Sequence, residues 1–226
     1  MFSRRAVLGA AGVGLTGVMA GCLDQVPFLS DEPLEFEATP ASVPASIRDE
    51  TGYEEQRVDT IVLEETVEAM DRRQDIVVTN WLAEYDKAVD LSEFGLQVDD
   101  RLEAAIFTVL STPRVSILDR TFNPVGEMSS EDLLDLAQDH FDDVGRVEHV
   151  DERSVEILGE STTVGEFETT AELAGGGVDV DVTIHIAEAV ESGDDLVVAV
   201  GGYPSVLDDH EREHVFSMME SIEHAG

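Results

Sequence analysis

The segment 178–187 places the tightest constraint on the fold, because its side chains alternate between apolar and polar. Valine or isoleucine fills every second position from 178 to 186, and the positions between them hold Asp179, Asp181, Thr183 and His185. This period of two is typical of a β-strand with one buried and one wet face. Three glycines at 175–177 precede it, and Gly165–Leu173 has the composition of a second strand. The pattern predicts an antiparallel hairpin, with His185 on its exposed face.

Patterns elsewhere in the chain predict an α+β fold. Apolar stretches predict further strands at Tyr53–Val67, Asp75–Tyr85, Leu102–Leu110, Arg146–Leu158 and Leu196–Val200. Helices are predicted at Pro44–Glu50, from Ser129 to about Val144, and from about Val206 to His224. The middle helix is the clearest, because Ser129 stands three residues before Asp132, the spacing of a capping box. We therefore expect an antiparallel sheet with helices packed on one or both of its faces.

The charge of the chain predicts an acidic surface and excludes one class of partner. Acidic residues outnumber basic ones by 50 to 13, which gives a net charge of −37, and Lys87 is the only lysine. A hydrophobic content of 42 % favours a folded core beneath an acidic surface. The sequence offers no basic stripe for phosphate contacts, so nucleic acid is excluded as a partner. Molar salt shortens the screening length to about 3 Å and relieves the mutual repulsion of these carboxylates.

The N-terminal residues combine the features of an export signal. Arg4 and Arg5 precede an apolar run of small residues, and Cys22, the only cysteine, follows Ala20-Gly21. This segment resembles a twin-arginine export signal joined to a lipobox. The resemblance implies cleavage before Cys22 and a lipid on its thiol. The alternatives are an unmodified thiol beside an ordinary signal peptide, and a transmembrane helix, for which the run is short against the ~20 residues required.

These features divide the chain into three parts. Residues 1–21 are predicted to be the signal peptide with its lipobox, residues 22–35 a tether, and residues 36–226 a single α+β domain. We expect the domain on the outer face of the cell membrane, anchored by the lipid on Cys22. Because the sequence has one cysteine, no intramolecular disulfide can form and the core alone must stabilise the fold.

One pattern in the predicted C-terminal helix is typical of zinc hydrolases. His210, Glu211 and His214 fit H-E-x-x-H, in which two histidines one turn apart bind zinc and the glutamate accepts a proton from bound water. A third ligand is missing, since Ser217 and Glu220 stand where the extended motif has glycine and histidine. The predicted core-facing positions of this helix are Leu207, Val215, Met218, Met219 and Ile222. His210 falls outside that stripe, so we expect no catalysis and no cofactor, with a metal-dependent hydrolase as the alternative.

Other candidate sites are weaker. The acid pairs Asp194-Asp195 and Asp208-Asp209 are interpreted as solvated surface, the second pair in the first turn of the C-terminal helix with Ser205 as its cap. Trp81 and Tyr203, with Tyr53 and Tyr85, would line a groove in a small solute-binding lipoprotein, which is a second alternative. Aromatic residues make up only 6 % of the chain, which gives the solute-binding alternative little support.

The strand that ends at Tyr203-Pro204 and the helix with an acidic start that follows it resemble the C-terminal half of PsbP-like domains. This resemblance implies that the antiparallel sheet and its helices form an α/β/α sandwich. The whole chain resembles uncharacterised lipoproteins of haloarchaea, in which a surplus of acids accompanies an avoidance of lysine. These resemblances imply an accessory or docking module and supply no reaction. We therefore expect a lipid-anchored, extracytoplasmic binding or docking domain of a halophilic archaeon, whose protein or small-molecule partner is unknown.

Overall fold

A computed structural model describes residues 33–69, 72–89, 102–117, 120–121, 124–138, 147–172 and 179–225. The strands within these ranges are β1 Leu34–Glu37, β2 Ala41–Ser42, β3 Glu54–Ala69, β4 Arg72–Val89, β5 Leu102–Pro113, β6 Ser116–Ile117, β7 Arg120–Thr121, β8 Glu148–Ile157, β9 Glu160–Glu172, β10 Asp179–Ala187, β11 Val190–Ser192, β12 Asp195–Pro204 and β13 Glu223–His224. The α-helices are α1 Ala45–Thr51, α2 Ser130–Gln138 and α3 Asp208–Glu220. None of these helices is both long and apolar enough to cross a membrane.

Nine strands form one sheet, in the order β1-β4-β5-β12-β10-β9-β8, with β3 paired to β4 and β11 paired to β12. The pairing of β1 with β4 is parallel, and the other pairings in this sheet are antiparallel. The sheet is therefore mixed: the predicted antiparallel pairing holds for every strand pair in it except β1 with β4, and the β9–β10 hairpin is confirmed. The fold is dominated by the sheet, and the term α/β/α sandwich describes it only roughly, because the helices in the described ranges are few and short.

The helices lie against the two faces of this sheet. We call the face that carries α1 and α3 the α3 face, and the opposite face, which carries α2, the α2 face. A Cβ atom placed on Gly201 of β12 would lie 2.5 Å from Val215 Cγ1, and one placed on Gly165 of β9 would lie 2.3 Å from Ser130 Oγ. Both positions need glycine because a helix approaches the sheet directly above them.

The larger core lies on the α3 face. Tyr85, Phe107 and Val109 of the sheet pack there with Met218 and Met219 of α3, and each of these residues is at most 1 % exposed. All five predicted core-facing positions of the C-terminal helix are buried, which confirms the apolar stripe. A smaller core on the α2 face joins α2 to β9, β10 and β12 through Leu133, Leu134, Phe167, Ile186 and Val198.

The ends of the first two helices follow the sequence signals. At the start of α2, Ser129 Oγ accepts a hydrogen bond from the Asp132 backbone N–H at 3.2 Å, and Asp132 Oδ2 accepts one from the Ser129 backbone N–H at 3.0 Å. The capping box is thus confirmed, and its hydrogen bonds lower the pKa of Asp132. Helix α1 ends at Gly52, whose φ of +80° is the left-handed conformation that glycine adopts most easily. The predicted continuation of the α2 helix through residues 139–144 lies outside the described residues.

The C-terminal helix is shorter than predicted. It ends at Glu220, and the chain then forms β13, which pairs with β2 beside the N-terminal part of the sheet. Ser205 is not its cap, because α3 begins without a side-chain cap and the Ser205 hydroxyl lies 2.8 Å from Thr183 Oγ1. At the other end of the chain, β1 begins at Leu34, two residues before the predicted start of the domain. The signal peptide and most of the tether lie outside the described residues.

The prediction that His185 is exposed is wrong. Strand β10 is internal, between β12 and β9, and α3 covers its C-terminal half on the face that the alternation marked as wet. Asp179 and Asp181 of that face are exposed as predicted, whereas Thr183 is 2 % exposed and His185 is fully buried. Period-two alternation therefore identified the strand correctly but not how far a helix covers its polar face.

Candidate functional site

The H-E-x-x-H segment of α3 holds a buried ion pair. Glu211 is 4 % exposed, and its Oε1 lies 2.6 Å from Nζ of Lys87, the only lysine of the chain. The hydroxyl of Tyr53 donates a hydrogen bond to Glu211 Oε2 at 3.2 Å, and His214 Nδ1 lies 3.2 Å from Lys87 Nζ. We call Tyr53, Lys87, Glu211 and His214 the Glu211 cluster.

This geometry gives Glu211 a structural role. A carboxylate that is the counter-ion of a lysine at 2.6 Å is poorly suited to accept a proton from a metal-bound water. His210 is exposed, whereas His214 is partly buried beside Lys87. Within the ranges that the structure describes, no group of three or more His, Cys, Asp or Glu side chains is arranged to hold a metal ion. Burial and the nearby Glu211 charge raise the pKa of Tyr53, so its hydroxyl remains a donor.

A second polar cluster lies on the α3 face further along the sheet, and only His185, Tyr203 and Asp208 of it were considered from the sequence. The guanidinium of Arg212 binds Glu166 through two hydrogen bonds and lies 3.0 Å from the Asp208 carboxylate. The Tyr203 hydroxyl donates to Asp208 Oδ1 at 2.9 Å and lies 2.7 Å from His185 Nε2. We call these five residues the His185 network. It connects β9, β10 and β12 to the first turns of α3.

The His185 network fixes the protonation of its central groups. Because the Tyr203 proton goes to Asp208, the Tyr203 oxygen accepts the proton of His185 Nε2, which leaves Nδ1 as an unprotonated acceptor. That Nδ1 is buried and has no hydrogen-bond partner in the described part of the chain. Burial lowers the pKa of His185 to about 4, and burial with the Asp208 contact raises the pKa of Tyr203. The hydrogen bonds to Glu166 raise the pKa of Arg212.

A third cluster joins the two ends of the domain. His224 Nδ1 lies 2.9 Å from Ser192 Oγ, and His224 Nε2 lies 3.1 Å from both Asp195 Oδ2 and the Thr39 carbonyl oxygen. The Thr39 backbone N–H donates to the same Asp195 oxygen at 2.8 Å. Although this is a Ser–His–Asp chain of contacts, the imidazole side chain is fully buried, so we assign it the role of tying β13 to the β11–β12 hairpin. Asp195, predicted to be solvated, is 5 % exposed.

The aromatic residues considered for a ligand groove are mostly core residues. Tyr53, Tyr85 and Tyr203 are each at most 2 % exposed, and Trp81 is partly buried. The Tyr85 hydroxyl accepts a hydrogen bond from the Val43 backbone N–H at 2.9 Å, which holds the segment between β2 and α1 against the sheet. These side chains therefore stabilise the α3 face of the sheet.

The most unusual surface is the outer side of β3, which the sequence analysis did not single out. Strand β3 lies at an edge of the sheet, and among the described residues it pairs only with β4. Three consecutive apolar side chains on it face solvent: Ile61 is 41 % exposed, Val62 52 % and Leu63 54 %. Carboxylates flank this triplet, with Asp59 before it and Glu64-Glu65 after it. We call residues 57–66 the β3 edge.

The opposite edge of the sheet is different. Strand β8 carries a bulge between His149 and Asp151, where its register with β9 shifts. Among the described residues of β8, Val150 at this bulge is the one large apolar residue that is strongly exposed. Bulges bend a strand and interrupt its ladder, which protects an edge from pairing with another chain. On β3 the register shifts only between Glu55 and Arg57, and the ladder is then unbroken from Arg57 to Ala69.

Comparisons with known proteins give a family and a distant structural likeness. A family model described as "Domain of unknown function (DUF6517)" matches residues 40–223. No curated protein matches the chain. The chain is similar to the solution structure of PsbP (CyanoP) from Synechocystis sp. PCC 6803, with 12 % identity, coverage of 90 % of this chain and 99 % of that chain, and a TM-score of 0.37. At that TM-score, the PsbP-like layout remains a prediction.

Proposed function

The chain belongs to the DUF6517 family, a domain of unknown function, and we propose that it is a lipid-anchored, extracytoplasmic domain that docks a partner without catalysing a reaction. Three features support this proposal: the N-terminal signal pattern, the involvement of Glu211 in an ion pair, and the β3 edge. The β3 edge carries the docking part of the proposal, because it is the feature that a folded domain has least reason to leave exposed.

An exposed, apolar edge strand is a liability in a protein that acts alone. Its unpaired backbone N–H and C=O groups are a template for another strand, and most proteins cover, charge or distort such edges. The β3 edge carries its charges on both sides of the apolar triplet, and the triplet itself is left exposed on an uninterrupted ladder. Val62 and Leu63 are both more than half exposed on a strand with an unbroken ladder. Strand addition to such an edge is a common mode of peptide recognition. We infer that the β3 edge is where the partner docks.

The anchoring part of the proposal rests on the sequence. Arg4, Arg5 and Cys22 lie in residues 1–32, outside the described residues, and have the order and spacing of an export signal with a lipidation site. The net charge of −37 and the single lysine are in keeping with a surface that works in the brine outside a halophilic archaeon.

The docking proposal is tested by photo-crosslinking in the native membrane. The full chain carries benzoylphenylalanine in place of Val62 in one variant and in place of Val150, on the bulged edge, in the control. We expect the Val62 variant to crosslink to one protein, identified by mass spectrometry, and the Val150 variant to give no such product. Equal products from both positions, or none from Val62, would refute docking at the β3 edge.

A Cys22→Ser substitution should release the protein from the membrane. A lipid chain contributes about 0.8 kcal/mol of membrane binding for each buried CH₂ group, and serine cannot form the thioether that carries it. We therefore expect the full-length variant to move from the membrane fraction to the soluble fraction, measured by immunoblot after high-speed centrifugation. Retention of Cys22→Ser in the membrane fraction would show that the anchor is something other than a lipid on this thiol.

A further inference from the structure

We propose that the occupant of the β3 edge is an extended segment of a partner protein with an apolar centre and Lys or Arg on both flanks, bound as an additional strand. This inference rests on the proposed docking function and adds the chemistry of the partner. It is derived from three properties of the β3 edge: its backbone, its apolar triplet and its charges.

The backbone of the β3 edge is suited to pair with a strand. In an antiparallel ladder, every second residue of an edge strand turns its N–H and C=O away from its neighbour. Because the β3–β4 register is continuous from Arg57 to Ala69, these groups form a regular row along the strand. A peptide in extended conformation completes that row without any change in the domain.

The apolar triplet requires an apolar centre in the partner. Leu63 lies opposite Val78 and Ile61 opposite Asn80, and Val78 packs with the apolar side chains on the α2 face of β4. Val62 lies between them on the other face of the strand, because successive side chains alternate. A segment with consecutive apolar residues would cover Ile61 and Leu63 on one face and Val62 on the other, and would remove apolar surface from water on both faces.

The charges of the β3 edge require a basic partner. Arg57, the only basic residue of the edge, is already paired with Glu84 across the ladder, with Nη2 3.0 Å from Oε1. Glu64 and Glu65 make no ion pair with any residue in the described ranges. Among those residues, the Asp59 carboxylate accepts a hydrogen bond from the Thr60 backbone N–H at 2.8 Å, and its charge helps to raise the pKa of Arg57. Cationic side chains next to the apolar centre of a bound strand would face these carboxylates, and like charges placed opposite each other would weaken the pairing.

A second copy of the chain fits this edge poorly. Antiparallel self-pairing centred on Val62 would match the apolar triplets, but it would place Glu65 of each copy opposite Asp59 of the other. Like charges placed directly opposite each other are destabilising even in brine, where salt screens the long-range repulsion between two chains of net charge −37. The same carboxylates attract a segment with basic flanks in either strand direction, because they stand on both sides of the triplet.

Fluorescence anisotropy with two labelled peptides tests this inference on the full-length chain. The basic peptide is Arg-Thr-Arg-Val-Ile-Val-Arg-Thr-Arg, and the acidic peptide has Glu at every Arg position. We expect the basic peptide to bind at least about tenfold more tightly, with a difference that shrinks as salt is raised, since ion pairs are screened and apolar contacts are not. N-methylation of alternate backbone nitrogens of the basic peptide should abolish binding, because it removes the donors of the added strand.

Charge reversal on the two edges supplies the matched controls. Glu64→Lys/Glu65→Lys on β3 leaves only Asp59 as a carboxylate beside the triplet and should remove most of the preference for the basic peptide, whereas Glu152→Lys/Glu156→Lys on exposed positions of β8 should leave the preference unchanged. Equal affinity for both peptides, no binding of either, or the same effect of both double variants would overturn the inference. If the peptides fail but Val62 still crosslinks to one membrane-surface protein, the docking function stands and only the partner chemistry is wrong. If both experiments fail, the docking function fails with it.

Discussion

Replacing Lys87 with Met should lower the free energy of unfolding by about 3–5 kcal/mol, because it leaves the buried carboxylate of Glu211 without its counter-ion. The Glu211 side chain is 5 % exposed and that of Lys87 is 20 % exposed, so water cannot replace the lost ammonium group. Tyr53 can still donate its hydroxyl, and His214 Nδ1 lies 3.4 Å from Glu211 Oε2, but these two contacts do not replace the ammonium group at 2.6 Å. Denaturant unfolding of the two proteins at the same high salt concentration measures the difference.

Two further variants show whether the loss comes from the uncompensated charge. The double variant Lys87→Met/Glu211→Met removes both charges with side chains of similar length, and we expect it to recover most of the lost stability. Arg57→Met removes an ion pair with Glu84 whose side chains are 59 % and 31 % exposed, so water screens that pair and its loss should cost far less than the loss of Lys87. The explanation is wrong if Lys87→Met costs no more than Arg57→Met, or if the double variant is as unstable as Lys87→Met alone.

The sequence contained a signal for the burial of Glu211 that the zinc motif concealed. Glu211 stands four residues after Leu207 and four before Val215, in the middle of the apolar stripe that was correctly predicted for α3. A carboxylate in such a stripe needs a cation or a neutralising hydrogen bond. The identity of that cation was beyond the sequence, because Lys87 is 124 positions away and approaches only through the packing of β4 under α3.

Local sequence patterns predicted the helices and strands better than they predicted which remote residues contact each of them. The capping box at Ser129 and the glycine end of α1 depend on neighbouring residues, and both are confirmed. The short strands β2 and β13 depend on each other across the whole domain and carry no periodicity of their own, so they were missed. Asp195 was interpreted as surface for the same reason, since its partners His224 and Thr39 are remote in sequence.

Acid should destabilise the fold through His185 in the pH range between about 6.5 and 4. The imidazole is fully buried, and its burial lowers its pKa to about 4 from 6.5. Well above pH 6.5 the imidazole is neutral in both the folded and the unfolded chain, so its burial adds no pH dependence to the free energy of unfolding there. As the pH falls towards 4, the unfolded chain takes up a proton that the folded chain does not, and stability is lost. Each unit of difference between the folded and unfolded pKa of His185 corresponds to about 1.4 kcal/mol, so the full loss of unfolding free energy is about 3 kcal/mol.

The charged neighbours of His185 shift its pKa in opposite directions, which is why burial decides the direction of the net shift. Glu166 and Asp208 favour the protonated ring, whereas Arg212 and Arg153 disfavour it. His185→Gln is the informative variant, because its amide can still donate to the Tyr203 oxygen but does not titrate. Between pH 7 and pH 4 the variant should lose about 3 kcal/mol less stability than the unmodified chain, when both are unfolded by denaturant at the same salt concentration. Equal acid losses in the two proteins, or an NMR titration of the His185 ring with its midpoint near 6.5, would contradict this assignment and would mean that water reaches the ring in the folded state.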